Sequence, residues 1–212
     1  SKDLLVASVP DTINKLFELI KESEFWVIVS GSFLRIVAGF LSAVIVGTAV
    51  AVVCGKSELA DCLISPAMGI IKSTPVASFI ILALIWIKSA YLSVFISFLM
   101  VLPMVYSNVL QGIRNVDVNL LEMADVYGFT AAKKLRLVIL PSVFPYFLSA
   151  CTTGLGFAWK SGIAAEILGM PKNSIGVQLN NAKIYHETVD LFAWTIVIIV
   201  LSVVLEKLFL MF

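Results

Sequence analysis

Few side chains in this chain could do chemistry, and their spacing narrows the options. The one histidine, His186, stands beside Glu187 in a polar stretch with no second imidazole or cysteine nearby. Neither a metal site nor a His-based triad is supported by that arrangement. Cys54, Cys62 and Cys151 lack metal-ligand spacing and read as free, small apolar thiols. The run Cys54-Gly55-Lys56-Ser57 has the tail of a phosphate-binding loop. That loop needs a glycine where Val50 stands, so nucleotide binding by this chain is rejected. No catalytic residue, metal ligand or resident cofactor is assigned.

Charges inside long apolar runs say more, because a charge at the bilayer centre costs roughly 2.5–3.5 kcal/mol on insertion scales. Such charges imply a partner or a water-filled path. Arg35 lies about two turns into the first apolar run. Lys160 and Glu166 lie late in the fourth. Glu166 continues a stripe of small residues and so faces the packed side, where a hydrogen bond to a neighbouring helix or loop is the plain reading. Lys160 falls on another face with Thr153, Phe157 and Ala164. It either snorkels to the outer interface or lines a cavity that attracts an anionic or polar substrate. Lys72, Ser73 and Thr74 precede Pro75 and interrupt the second run, where non-helical backbone is tolerated only beside protein or water. The substrate-path candidates are thus Lys160, Glu166, Trp159, Thr153, Ser73 and Thr74.

The elements that must hold these residues are membrane helices. The chain has 212 residues, 60 % of them hydrophobic and 14 % charged, with a mean hydropathy of +1.02. Soluble domains carry about a quarter charged residues. A net charge of +1 lacks the basic excess of a nucleic-acid binder. Residues 10–26, within an interfacial segment over 8–27, place Ile13, Leu16, Phe17 and Ile20 on one face, with Asp11 or Thr12 as cap. Spans are expected over 28–53, 64–87, 90–112, 141–165 and 189–211, the second interrupted by Pro66 and Pro75. The fold class is an all-α polytopic membrane bundle in one domain, 1–212. Small residues recur every fourth position at Gly39, Ala43 and Gly47, and again at Gly154, Ala158 and Gly162. Such ladders let helices approach closely; packing within one bundle is the plain reading, a subunit interface the alternative.

Between the third and fourth spans lies Glu122-Met-Ala-Asp-Val-Tyr-Gly128-Phe-Thr-Ala-Ala-Lys133-Lys134-Leu-Arg136-Leu-Val-Ile-Leu-Pro141. Leu120, Leu121, Ala124 and Tyr127 fall on one side of a short helix, and Gly128 ends it. Thr130 caps a second helix through Ala131, Leu135 and Val138. The Lys and Arg density here makes the 113–138 segment cytoplasmic. Two short helices with an apolar face form a protrusion that a protein partner should cover.

Glu122, Ala124, Gly128, Ile139, Leu140 and Pro141 resemble the EAA loop of permease subunits of bacterial ABC importers. Ser32, Arg35, Gly39 and Phe40, then Pro75, Ala77 and Trp86, then Ala158, Trp159, Glu166 and Gly176, are similar to the nitrate/sulfonate/taurine branch. The family has six spans, so the resemblance implies a first span outside this sequence. It also implies a homodimer around a central path in the bacterial inner membrane, an extracytoplasmic binding protein, and a cytoplasmic ATPase dimer that carries ATP and Mg. Within the loop over 117–138, the resemblance gives ATPase coupling to Glu122, Ala124, Asp125, Gly128, Phe129, Lys133 and Lys134. The implied cargo is a small polar or anionic solute of the sulfonate, nitrate, bicarbonate or thiamine-precursor class. An ATP-independent secondary transporter or channel is the alternative, but neither intramembrane acid relays nor inverted repeats are evident.

Overall fold

The computed structural model describes residues 7–210; residues 1–6 and 211–212 of the domain expected over 1–212 lie outside the described residues. Helix α1, Val9–Lys21, begins with Pro10 in its first turn, where a missing N–H costs nothing. Its cap is Ser8, not Asp11 or Thr12. Thr12 sits inside the helix, and its hydroxyl donates to the Ser8 carbonyl at 3.0 Å. Leu19 is buried, while Ile13, Phe17 and Ile20 stay exposed as an outward apolar stripe. Lys15 pairs with Asp190 at 3.2 Å. The helix stops at Lys21, since Glu22 is extended. Trp26 therefore belongs to the next helix and donates its indole N–H to the Ile20 carbonyl at 3.0 Å.

Helix α2, Ser23–Lys56, spans 34 residues, about 51 Å at 1.5 Å per residue. Only Ser57 separates it from α3, Glu58–Ser73. Cys54 and Cys62 thus lie in two helices rather than around a loop; Cys54 is buried and Cys62 exposed. Helix α3 is followed by α4, Val76–Trp86, with a bend of 105° between them. The sequence marked two interruptions here, and the structure shows one. Pro66 is absorbed inside α3, whereas Pro75 forces Thr74 into extended backbone and ends the helix. Helix α5, Ser89–Arg114, follows the two-residue turn Ile87-Lys88.

Beyond α5 come α6, Val118–Val126, and α7, Ala131–Lys134, which winds through a π-helical turn at Leu135–Ile139 into α8, Leu140–Gly169. The sequence suggested a separate short helix and a span starting at Pro141. The structure instead has one helical rod of 39 residues, Ala131–Gly169. The π turn makes this possible: the Leu140 N–H reaches back to the Leu135 carbonyl, so the ladder is reset just before the proline that lacks a donor. The polar stretch after α8 contains α9, Ile175–Ile184, and α10, Thr188–Leu210, completes the described chain. Among the described residues four helices are long and apolar enough to cross a membrane, or five spans with the bent pair counted as one.

Helix α5 lies between α2 and α8, packed against both along most of its length. The small-residue ladders make this contact. A Cβ on Gly39 would meet the Val94 carbonyl oxygen at 2.4 Å, and one on Gly47 would lie 3.0 Å from the Val105 Cβ. On α8, a Cβ at Gly154 would touch Val101 at 3.1 Å, and at Gly162 would strike Ile36 and Ser97, both at 2.6 Å. Ala43 and Ala158 are fully buried in the same seams. With no hydrophobic drive between helices in lipid, this close approach supplies the dispersion contacts that hold the bundle.

Candidate functional site

At one end of the bundle the α6–α7 segment builds its own shape. Asp117 caps α6 by accepting from the Asn119 N–H at 2.9 Å. Gly128 adopts φ +64°, and its N–H donates to the Asp125 carbonyl while that of Phe129 donates to Ala124, both at 2.9 Å. Thr130 caps α7 by accepting from the Lys133 N–H at 3.4 Å. Asp125 pairs with Lys134, and the Lys133 ammonium sits 4.1 Å from the Phe129 ring centroid. Ala124 is fully buried against a small core of Val116, Val138, Leu121, Phe129 and Ile139. Of the apolar side read for this helix, Leu121 and Ala124 pack inward, while Leu120 and Tyr127 are exposed. The chain returning through Phe129 and Ile139 covers only the Leu121–Ala124 edge. Val118, Met123, Val126 and Tyr127 form an apolar outer surface, with Val126 at 86 % exposure. Glu122 is exposed beside them.

At the opposite end, a buried polar knot ties α2, α8 and α9. Glu166 has no exposed surface. Its carboxylate accepts from the Ser32 hydroxyl at 2.7 Å, from Arg35 Nε at 3.1 Å and Nη2 at 3.0 Å, and from the Gly176 N–H at 3.4 Å. Arg35 also donates to the Asn173 carbonyl at 3.0 Å, and Ser32 accepts from the Ile175 N–H at 3.0 Å. A Cβ on Gly176 would come within 2.4 Å of the Glu166 Cβ, which shows how tightly α9 starts against α8. Every oxygen of the buried carboxylate is therefore engaged, the condition under which a buried ion pair is tolerated. Glu166 is thus enclosed in packed protein, in line with the hydrogen-bonding role read for it. Trp159 is likewise packed inside the chain: it is 1 % exposed, and its indole N–H donates to the Ile198 carbonyl at 3.2 Å, holding α8 on α10. Ser32 and Asn173 were not reachable by spacing, since 131 to 143 residues separate the partners.

The remaining candidates gather on an open face. Ser73 and Thr74 line a recess of about 580 Å³ at the α3–α4 bend, together with Lys72, Met104, Asn108 and Phe157. Both hydroxyls donate to the Ile70 carbonyl, at 3.1 and 2.8 Å. Thr153 and Lys160 are exposed on α8, one turn to either side of Phe157. Toward the α6 end, a second recess of about 290 Å³ is lined by Asp61, Ser107, Gln111 and Arg114. There Asp61 accepts from the Tyr106 hydroxyl at 2.6 Å and from Arg114 at 2.7 Å. His186 is exposed, in left-handed backbone between α9 and α10. Among the described residues no group of His, Cys, Asp and Glu could hold a metal ion.

Comparison with known proteins agrees with this geometry. SsuC of Bacillus subtilis (strain 168), whose name assigns it provisionally to aliphatic sulfonates transport, is 34 % identical over 98 residues, 46 % of this chain and 35 % of its own length. The taurine transport system permease protein TauC of Escherichia coli (strain K12) is 25 % identical over 145 residues, 68 % of this chain and 52 % of its own. The bicarbonate transport system permease protein CmpB of Synechococcus elongatus is 28 % identical over 76 residues, 36 % of this chain and 27 % of its own. The chain thus matches from about a quarter to about half of the length of these relatives. The fold matches a crystal structure of an amino acid ABC transporter with histidines at a TM-score of 0.68 and 19 % identity, over 87 % of this chain and 92 % of that one. The model of the binding-protein-dependent transport system inner membrane component matches residues 27–211, so the chain belongs to that family of ABC importer permeases.

Proposed function

We propose that this chain forms the substrate path of an ATP-driven importer and is moved by a cytoplasmic ATPase dimer docked on α6 and α7. Two copies would enclose the path in the bacterial inner membrane. An extracytoplasmic binding protein would deliver a small polar or anionic solute, and ATP and Mg would act on the ATPase. Within the sulfonate, nitrate, bicarbonate or thiamine-precursor class, the sulfonate, taurine and bicarbonate names of the relatives favour a sulfonate or bicarbonate.

The observation that carries this reading is mechanical. An apolar surface outside the spans, Val118, Met123, Val126 and Tyr127, is locked by its own caps and fused through the π turn to a 39-residue rod. Docking there would bury apolar area that water now touches. Closing of the ATPase dimer would then turn α8 as a lever, and the Glu166 knot would pass that motion to α2 and α9. The two states are thereby biased by a ligand on another chain, as alternating access requires.

Val126→Asp tests it, because Val126 supports nothing inside the chain. Co-expressed with its cognate ATPase, this variant is expected to melt like wild type yet lose co-purification of the ATPase. Undiminished co-purification would contradict docking at α6.

A further inference from the structure

We propose that the recess at the α3–α4 bend is a binding site for an anionic group, such as a sulfonate or carboxylate, with Lys72 as its selecting residue. This rests on the reading of the chain as a transport path and extends it from a solute class to a residue. Lys72 is the one charged residue lining the recess. None of the ion pairs among the described residues involves it. Its ammonium donates to the Ser107 hydroxyl oxygen at 2.7 Å, while the Ser107 proton is given to the Pro103 carbonyl, also at 2.7 Å. A lysine has three N–H donors, so two are left for a ligand.

The neighbouring polar groups fit this assignment. The Ser73 and Thr74 hydroxyl protons are committed to Ile70, so the donors left for an anion are those of Lys72 and Asn108. Asn108 gives one amide proton to the Met104 carbonyl at 2.8 Å and keeps the other. Positive charge at the bend is therefore unopposed by any lining carboxylate, and Phe157 closes one side with an apolar ring. Ser107, which holds Lys72, lines the second recess toward α6. The Lys72–Ser107 contact thus stands between the two recesses, where an anion that displaces Ser107 could pass from one to the other. Snorkelling alone would direct the ammonium to the inner surface. Ser107 lies seven residues before the end of α5, about 10 Å along the helix.

The test needs no ATP, ATPase or substrate, so its failure is distinct from a failure of the Val126→Asp test. Asn108→Cys is introduced into the full-length protein after every native cysteine, Cys54, Cys62 and Cys151 among them, is replaced by serine. In membrane vesicles its reaction rates with sulfonatoethyl and trimethylammonioethyl methanethiosulfonate are compared, each normalised to a free thiol. The cationic recess predicts a preference for the anionic reagent of about tenfold or more. Lys72→Met and Lys72→Gln should both abolish that preference, and Lys72→Arg should keep it. An unchanged ratio in the neutral variants, or no reaction with either reagent, would overturn the proposal. Two neutral replacements guard against one failing to fold.

Discussion

Glu166→Ala is expected to destabilise the protein by about 3–5 kcal/mol, the cost of leaving a buried charge without its partner. The carboxylate is fully buried and receives bonds from Ser32, Arg35 and the Gly176 N–H. Its removal leaves the half-buried Arg35 guanidinium with only the Asn173 carbonyl, and strands the Ser32 hydroxyl and the Gly176 amide. Glu166→Gln should lose less, since an amide oxygen still accepts from Ser32 or Gly176. The ordering wild type, Gln, Ala in thermal denaturation of the detergent-purified protein checks the claim. Limited proteolysis adds a local readout, because loosening should expose the chain around Asn173, whose carbonyl Arg35 now holds. Equal melting of Ala and wild type would mean that the knot is ornamental.

Gly128→Pro is expected to abolish coupling while leaving the spans intact. Gly128 sits at φ +64°, a value proline cannot adopt, and its N–H donates to Asp125 at 2.9 Å. Proline also disfavours the backbone that Tyr127 holds at the α6 C-cap, φ −80° and ψ 6°. The local cost is about 3 kcal/mol or more. It falls on a loop outside the membrane-packed core, so melting should change little. ATP-dependent uptake in proteoliposomes should fall about tenfold or more, each 1.4 kcal/mol being worth a factor of ten. Nothing lies within 4 Å of where a Cβ would stand, so Gly128→Asn, which tolerates left-handed backbone, should retain most activity. If Asn and Pro behave alike, the turn conformation is not what matters.

Much of the bundle was legible because lipid imposes simple rules. Long apolar runs marked the spans, and the small-residue ladders from Gly39 and Gly154 marked the faces that meet α5. The Gly154–Gly162 stripe placed Glu166 on the packed side of its helix. Its partners were hidden, since Ser32 and Arg35 are 134 and 131 residues away and periodicity carries no information across such a gap. Pro75 broke its span but Pro66 did not, a difference set by whether the preceding backbone could stay helical. Pro141 looked like a helix start, yet a π turn carried the helix past it; no residue pattern announces that turn. Gly128 and Thr130 gave the turn of the α6–α7 loop. Which side of α6 is open was fixed by the return of Phe129 and Ile139, a tertiary contact. Trp159 and Ser73 were read from sequence as equals, and only packing separates the core residue from the recess.

The central claim is that the outer surface of α6 contacts the ATPase. It is tested most directly by crosslinking, with one cysteine in an otherwise cysteine-free chain. Val126→Cys, co-expressed with the cognate ATPase and treated with a short bis-maleimide in native membranes, should give a permease–ATPase adduct. Tyr185→Cys, also well exposed but at the opposite end of the bundle, should give none. No adduct from position 126, or equal adducts from both positions, would contradict the account.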